Sequence, residues 1–254
     1  NCEKRRAMNV NDVDIFVPCC VDQLYPQTAF NMIKVLKHLG VKVHYNAEQT
    51  CCGKGAFTNG YWDEAKEIGE KFIRNFGHGR YIVSPSADCV GYIRNHYAKL
   101  FYNTSLHLEY RQLQNCIFEF TDYLVNMLRV TDLGAVFPHK VTYHDACSAL
   151  RDYGIREEPR LLLSHVRDLE LVEMDKSEHC CGFGGTFSLK YEPLSVAMTE
   201  QKISNALATG AEYIVTTEVT CMAQMESYIK KQKLNLKCLH VADVLSSGIG
   251  ADLV

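Results

Sequence analysis

Twelve cysteines in a chain of 254 residues are the side chains with the most chemistry to offer. Eight of them fall into two sets of four with one internal order: Cys19, Cys51, Cys52 and Cys89, then Cys147, Cys180, Cys181 and Cys221. Each set is a single thiol, an adjacent Cys-Cys-Gly 32 or 33 positions later, and a last thiol 37 or 40 positions beyond the pair. Four thiolates are the usual ligands of a [4Fe-4S] cluster and also of structural zinc. Structural zinc generally uses C-x2-C knuckles, and the chain contains none. Adjacent cysteines point differently and reach two irons of one cluster more naturally than they reach a single ion. The second set is therefore read as an iron–sulfur site, and the first is left open between a cluster and zinc.

Gly53 and Gly182 let the backbone turn tightly and approach inorganic sulfide without a Cβ in the way, and leave amides free to donate to sulfur. Cys89 and Cys221 are read as opening helices, whose positive ends favour thiolates.

The elements that must position these thiols repeat as well. VDIFVPC closes on Cys19 and KVTYHDAC on Cys147, while YIVSPSADC closes on Cys89 and YIVTTEVTC on Cys221. Short β-rich runs alternate with helical periods, the pattern of parallel βαβ units. Strands are expected at 14–18, 41–45 and 81–83 in the first half, with helices at 27–39 and 62–76. The second half is expected to place strands at 141–143, 169–173 and 213–215 and helices at 160–165, 194–208 and 222–231. Residues 103–137 join the halves, with a helix at 118–128. The expected fold is α/β: two pseudo-symmetric βαβ halves with small parallel sheets and cysteine loops at the carboxyl ends of the strands, where such sheets gather ligand-binding groups. The boundary is placed near Leu133, giving domains 1–133 and 134–254.

Composition narrows the function. With 47% hydrophobic and 22% charged residues and a net charge of −3, the chain has material for a core and no basic face for nucleic acid. No run reaches the roughly 18 apolar residues of a membrane span, and NCEKRRAMNVN lacks the apolar stretch of a secretion signal. A cytoplasmic protein is expected, and there so many thiols indicate metal rather than disulfides.

Other residues divide between chemistry and packing. Cys20, beside Cys19, is either a fifth ligand or a spare. Cys116 and Cys238 lie in apolar stretches and read as small buried hydrophobes; Cys2 carries no weight. His144 and His179 flank the second set, where each either serves the cluster as an outer partner or is structural. His44 and His240 read as structural. Arg151, Arg156 and Arg160 suit a solvated helix surface better than a substrate carboxylate. Gly53-Lys54-Gly55 is too short for a phosphate loop, and no G-x-G-x-x-G dinucleotide fingerprint occurs.

EQTCCG (Glu48 to Gly53), NGYWDEA (Asn59 to Ala65), YHDAC (Tyr143 to Cys147) and CCGFGGTFS (Cys180 to Ser188) resemble the cysteine-rich CCG-domain iron–sulfur proteins, over nearly the whole chain. Within them the likeness is strongest to the lactate-utilisation protein A type, and the cysteine-rich subunit of heterodisulfide reductase is related. The resemblance implies iron–sulfur clusters, partner subunits and a part in oxidising L-lactate to pyruvate. The heterodisulfide pattern closes each motif with C-x-x-C, whereas here Cys89 and Cys221 open CVGY and CMAQ. The extra thiol for a larger non-cubane cluster is missing.

Three functions follow as expectations. One is an iron–sulfur electron-transfer subunit of an L-lactate-oxidising complex. Another is a thiol–disulfide redox catalyst of the heterodisulfide type using Cys20. The third is a zinc-stabilised scaffold subunit.

Overall fold

The protein is described by a computed structural model over residues 8–77 and 79–250, so Cys2 lies outside the described residues. Two four-stranded sheets carry the repeat. The first contains β1 (Asp12–Ile15), β2 (Lys42–Tyr45), β3 (Tyr81–Ser84) and β4 (Ile117–Glu119) in the order β2-β1-β3-β4. The second contains β5 (Lys140–Tyr143), β6 (Glu170–Leu171), β7 (Tyr213–Thr216) and β8 (Lys237–His240) in the order β6-β5-β7-β8. Every pairing is parallel. The register repeats as well: Val13 faces Tyr81 as Val141 faces Tyr213, and Ile15 faces Val83 as Tyr143 faces Val215. The central strands read as continuous apolar runs because parallel sheets are covered on both faces; Ile82, Val83, Ile214 and Val215 are fully buried.

The inner faces of the two sheets share one core. Val13, Ile15 and Val83 from the first meet Val141, Tyr143 and Val215 from the second through Met32, Leu36, Leu162 and Val244. The outer faces carry separate clusters, one holding Phe16, Cys52, Phe72 and Tyr97, the other Ala146, Cys181, Cys221, Met222 and Cys238. Helix Pro26–His38 begins with proline, whose missing N–H costs nothing in a first turn. It buries Met32, Val35 and Leu36 and packs on helix Val241–Leu245, where Thr28 and Asn31 donate to Asp243 at 3.2 and 2.9 Å. The mirrored contact joins helix Glu157–Ser164 to Phe120–Asp122.

The joining segment differs from the helix expected at 118–128. Residues 117–119 form β4, followed by the short helix Phe120–Asp122 and a π-helical turn, Tyr123–Met127. A three-residue strand leaves no period-two signal, so the spacing of Ile117, Phe120, Leu124 and Leu128 reads as one helix. Buried Glu119 makes the switch, since its Oε2 accepts from the amides of Thr121 (2.7 Å) and Asp122 (3.1 Å) and so caps the helix that follows. Strand β8 was likewise unexpected, and the helix expected at 160–165 begins at Glu157.

Candidate metal centre

In both halves the thiols stand beyond the carboxyl ends of the strands. Cys19 opens the short helix Cys19–Leu24 after β1; Cys51 and Cys52 follow β2; Cys89 is the third residue of helix Ala87–Phe101 after β3. Cys147 follows β5, Cys180 and Cys181 follow β6, and Cys221 is the third residue of helix Val219–Gln232 after β7. All the described cysteines are free thiols.

The first set is linked in a row. Cys19 Sγ lies 3.7 Å from Cys51 Sγ, Cys51 touches Cys52, and buried Cys52 reaches Cys89. Cys20, whose role the sequence left undecided, hydrogen-bonds the Cys19 thiol. In the second set Cys147 meets Cys180, Cys180 meets Cys181, and Cys181 meets Cys221. One thiol per half is poised as the anion. The Cys19 and Cys52 thiols, then the Gly53 amide at 3.4 Å, draw Cys51 down to about 2. The Cys147 and Cys181 thiols, then the Gly182 amide at 3.4 Å, do the same to Cys180. Cys19 and Cys52 in the first half and Cys147 and Cys181 in the second are pushed up, because they hold the protons that stabilise those anions.

The two Cys-Cys-Gly loops are built alike. Gly53 and Gly182 have φ of 87° and 93°, a conformation that side chains disfavour. A Cβ on Gly182 would stand 2.4 Å from the Ser195 carbonyl oxygen, and one on Gly53 would stand 3.1 Å from that of Ala65. A hydroxyl holds each loop from below: Tyr97 donates to the Cys52 carbonyl at 2.8 Å, and Thr199 to that of Cys181 at 2.7 Å. The residue two before the leading cysteine is tied to the loop in both halves, by Val17 N to Gln49 Oε1 (2.7 Å) and Asp145 N to Ser177 O (3.1 Å).

Around the second set the surroundings are polar and buried. His144 is fully buried, neither ring nitrogen has a hydrogen-bond partner, and it groups with Cys181 and Cys221 with donor atoms within 4.8 Å of one another. Burial, with nearby Lys202, lowers it to about 3. Lys202 is itself buried and lowered to about 8 by desolvation, with Nζ donating to the Lys176 and Ser177 carbonyls at 2.7 and 3.0 Å. His179, by contrast, is exposed at the rim of a cavity of about 410 Å³ that also reaches Arg151, Cys180, Met198 and Lys202.

Of the three arginines, Arg160 departs from the expected solvated surface row, while Arg151 is exposed. Arg160 forks onto buried Asp145 at 2.8 and 2.7 Å and onto Glu173 at 2.7 and 3.0 Å, and lies over the Tyr143 ring. It is fully engaged and has no capacity left for a substrate. Arg156 is exposed. Cys116 and Cys238 are buried in the packing, as expected. His240 is buried, its Nε2 2.9 Å from the Pro85 carbonyl, and His44 pairs with Asp12.

The seam between the halves runs between the two sets. Fully buried Glu218 accepts from Ser86 Oγ at 3.0 Å and from the Asp88 amide at 2.9 Å, so the second half caps the helix that carries Cys89. Burial, then the charge of Asp88, pushes the Glu218 carboxyl well up. Lys54 pairs with Asp88 at 2.5 Å, and Thr186 donates to Asn59 across the seam at 3.0 Å. Sequence reasoning missed Lys202, Ser86, Asp88 and Glu218. The available signal was the small polar inner face of helix Glu192–Ala208, where Ser195, Thr199 and Lys202 are buried beside Ile203 and Ala206.

Comparison with known proteins agrees with this repeat. The profile of the cysteine-rich domain family (CCG) matches residues 13–94 and 141–226. The chain is 37% identical to "Lactate utilization protein A" of an Exiguobacterium species, over 94% of this chain and 98% of that one. It is 33% identical to "Lactate utilization protein A 2" of Bacillus cereus, over 93% and 98%. A crystal structure of a hypothetical protein from Helicobacter pylori shares the fold, with a TM-score of 0.63 at 12% identity, covering 95% of this chain and 49% of that one. No described helix is long and apolar enough to cross a membrane.

Proposed function

The chain belongs to the cysteine-rich domain (CCG) family and, within it, to the lactate utilization proteins A; from that premise we propose that it is the iron–sulfur electron-transfer subunit of an L-lactate-oxidising complex. The observation that carries the reading is the convergence of four thiols in each half at the strand exits. Cys19, Cys51, Cys52 and Cys89 would hold one [4Fe-4S] cluster, and Cys147, Cys180, Cys181 and Cys221 the other. A bound cluster supplies reversible uptake of single electrons. The chain's own residues do the rest. The Gly53 and Gly182 amides donate to sulfur, the glycines give the backbone room, and buried Lys202 offsets anionic charge.

Oxidation of lactate to pyruvate releases two electrons and two protons. With neither a dinucleotide nor a phosphate loop in the chain, partner subunits carry out the bond-breaking step. Arg151 and His179, at the cavity beside Cys180, suit a small carboxylate such as L-lactate. The same reading places the protein in the cytoplasm, where a complex of this kind meets its substrate.

Protein purified without oxygen is expected to carry about four iron and four acid-labile sulfide per cysteine set and to give an EPR signal on reduction. Zinc alone, with no reducible iron, overturns the proposal. One observation favours a second metal in the first half. Two sulfurs on a tetrahedral zinc, each about 2.3 Å from the ion, lie about 3.8 Å apart, close to the 3.7 Å between Cys19 and Cys51. Metal analysis then finds about one zinc beside about four iron. A thiol–disulfide role for Cys20, lowered to about 7 by the Cys19 thiol, falls if Cys20→Ser keeps both metal and activity.

A further inference from the structure

His144 is a buried polar side chain beside the second set of thiols with no use so far. It is fully buried and both ring nitrogens lack hydrogen-bond partners, an arrangement that costs stability unless something else engages them. The polar groups packed around it are already engaged. The Ser177 carbonyl, which approaches the ring without closing a hydrogen bond to it, already receives Asp145 N and Lys202 Nζ; Lys202 points its ammonium at carbonyls; the Asp145 carboxylate is held by Arg160 and Ser177. What remains in reach is sulfur. A ring nitrogen of His144, Cys181 Sγ and Cys221 Sγ all lie within 4.8 Å of one another, the spread expected of donors on one metal with bonds of about 2.0–2.3 Å.

We infer that His144 ligates the metal centre of the second half through a ring nitrogen, taking a metal position that one of Cys147, Cys180, Cys181 and Cys221 would otherwise fill. Packing does not require a histidine there. The residue three positions before Cys19 in the first half, matching His144 three before Cys147, is Phe16, equally buried. The donor comes from the residue that follows β5, three positions before Cys147. The inference rests on the second set being a metal centre, not on the metal being iron.

The test uses the full chain, loaded without oxygen, reduced, and labelled with 15N only at histidine. Pulsed EPR is expected to show one strongly coupled histidine nitrogen in the unsubstituted protein. His144→Phe, which installs the residue found in the first half, is expected to keep the iron count and lose that coupling. His144→Cys, exchanging a neutral donor for a thiolate, is expected to shift the midpoint potential downward. A cluster signal with no strong nitrogen coupling, or a coupling that survives in His144→Phe, overturns the assignment. If the protein carries only zinc, the electron-transfer reading fails, and zinc-edge X-ray absorption decides His144 separately. Imidazole scattering lost in His144→Phe supports the assignment, and an all-sulfur shell in the unsubstituted protein overturns it.

Discussion

Behind Cys52 the first half places Phe16 edge-on to Phe72, with ring centroids 4.8 Å apart; at the matching positions near Cys181 the second half places His144 and Lys202. Strand order, register, thiol positions, loop glycine and supporting hydroxyl are otherwise repeated. Duplication has therefore kept the donors while the walls behind them diverged, one aromatic and dry, the other charged and hydrogen-bonded. An anionic centre is easier to hold beside a cation than against phenyl rings, so the two sites should differ in metal or potential even with identical thiols.

The largest test of this contrast removes the ion pair that braces the second wall. Arg160→Met strands buried Asp145 and should cost about 3–5 kcal/mol in denaturant unfolding. In the first half, Arg80→Met should cost less, roughly 2 kcal/mol: Asp14 is buried as well, but Arg80 is 35% exposed, so water enters where its guanidinium leaves. Equal losses would remove the claimed difference. Next come the loop glycines, the same position in two settings. Gly182→Ala should cost about 3 kcal/mol and loosen metal at the second set, while Gly53→Ala, with its wider approach, should cost about 2 kcal/mol. The reverse order in unfolding midpoints would contradict the geometry.

The remaining test is of pH dependence. Burial lifts Glu119 from 4.5 to about 8, against the amides that favour its anion. A carboxyl whose folded value is raised contributes stability that is fully present below about 4.5 and lost as pH rises through about 8. Stability should therefore fall across that window, and Glu119→Gln should flatten the fall. An unchanged slope between pH 5 and 8 in urea titrations would count against a neutral Glu119.

The cysteine repeat was legible because spacing survives in a one-dimensional string, and three strands of each half were legible from their short β-rich runs. β4 and β8 were not, since each runs directly into the turn of helix that follows. The expected surface role of Arg160 was misleading because its partner Glu173 sits 13 positions away on a different element. Ser86 and Glu218 are 132 positions apart, and nothing local in either segment announces the other. His144 was noticed as a neighbour of the second set, but its lack of any hydrogen-bond partner emerges only from three-dimensional packing.

That same bond from Asp88 N to Glu218 has a consequence for synthesis. The helix bearing Cys89 starts at Ala87, but the amide of Asp88 waits for an acceptor 130 residues downstream. At roughly 5–20 residues per second the ribosome takes on the order of ten seconds to deliver it. Through that interval the first four thiols are translated but not yet locked, and whatever loads them, or shields them from oxidation, must act on a nascent chain or wait for its end.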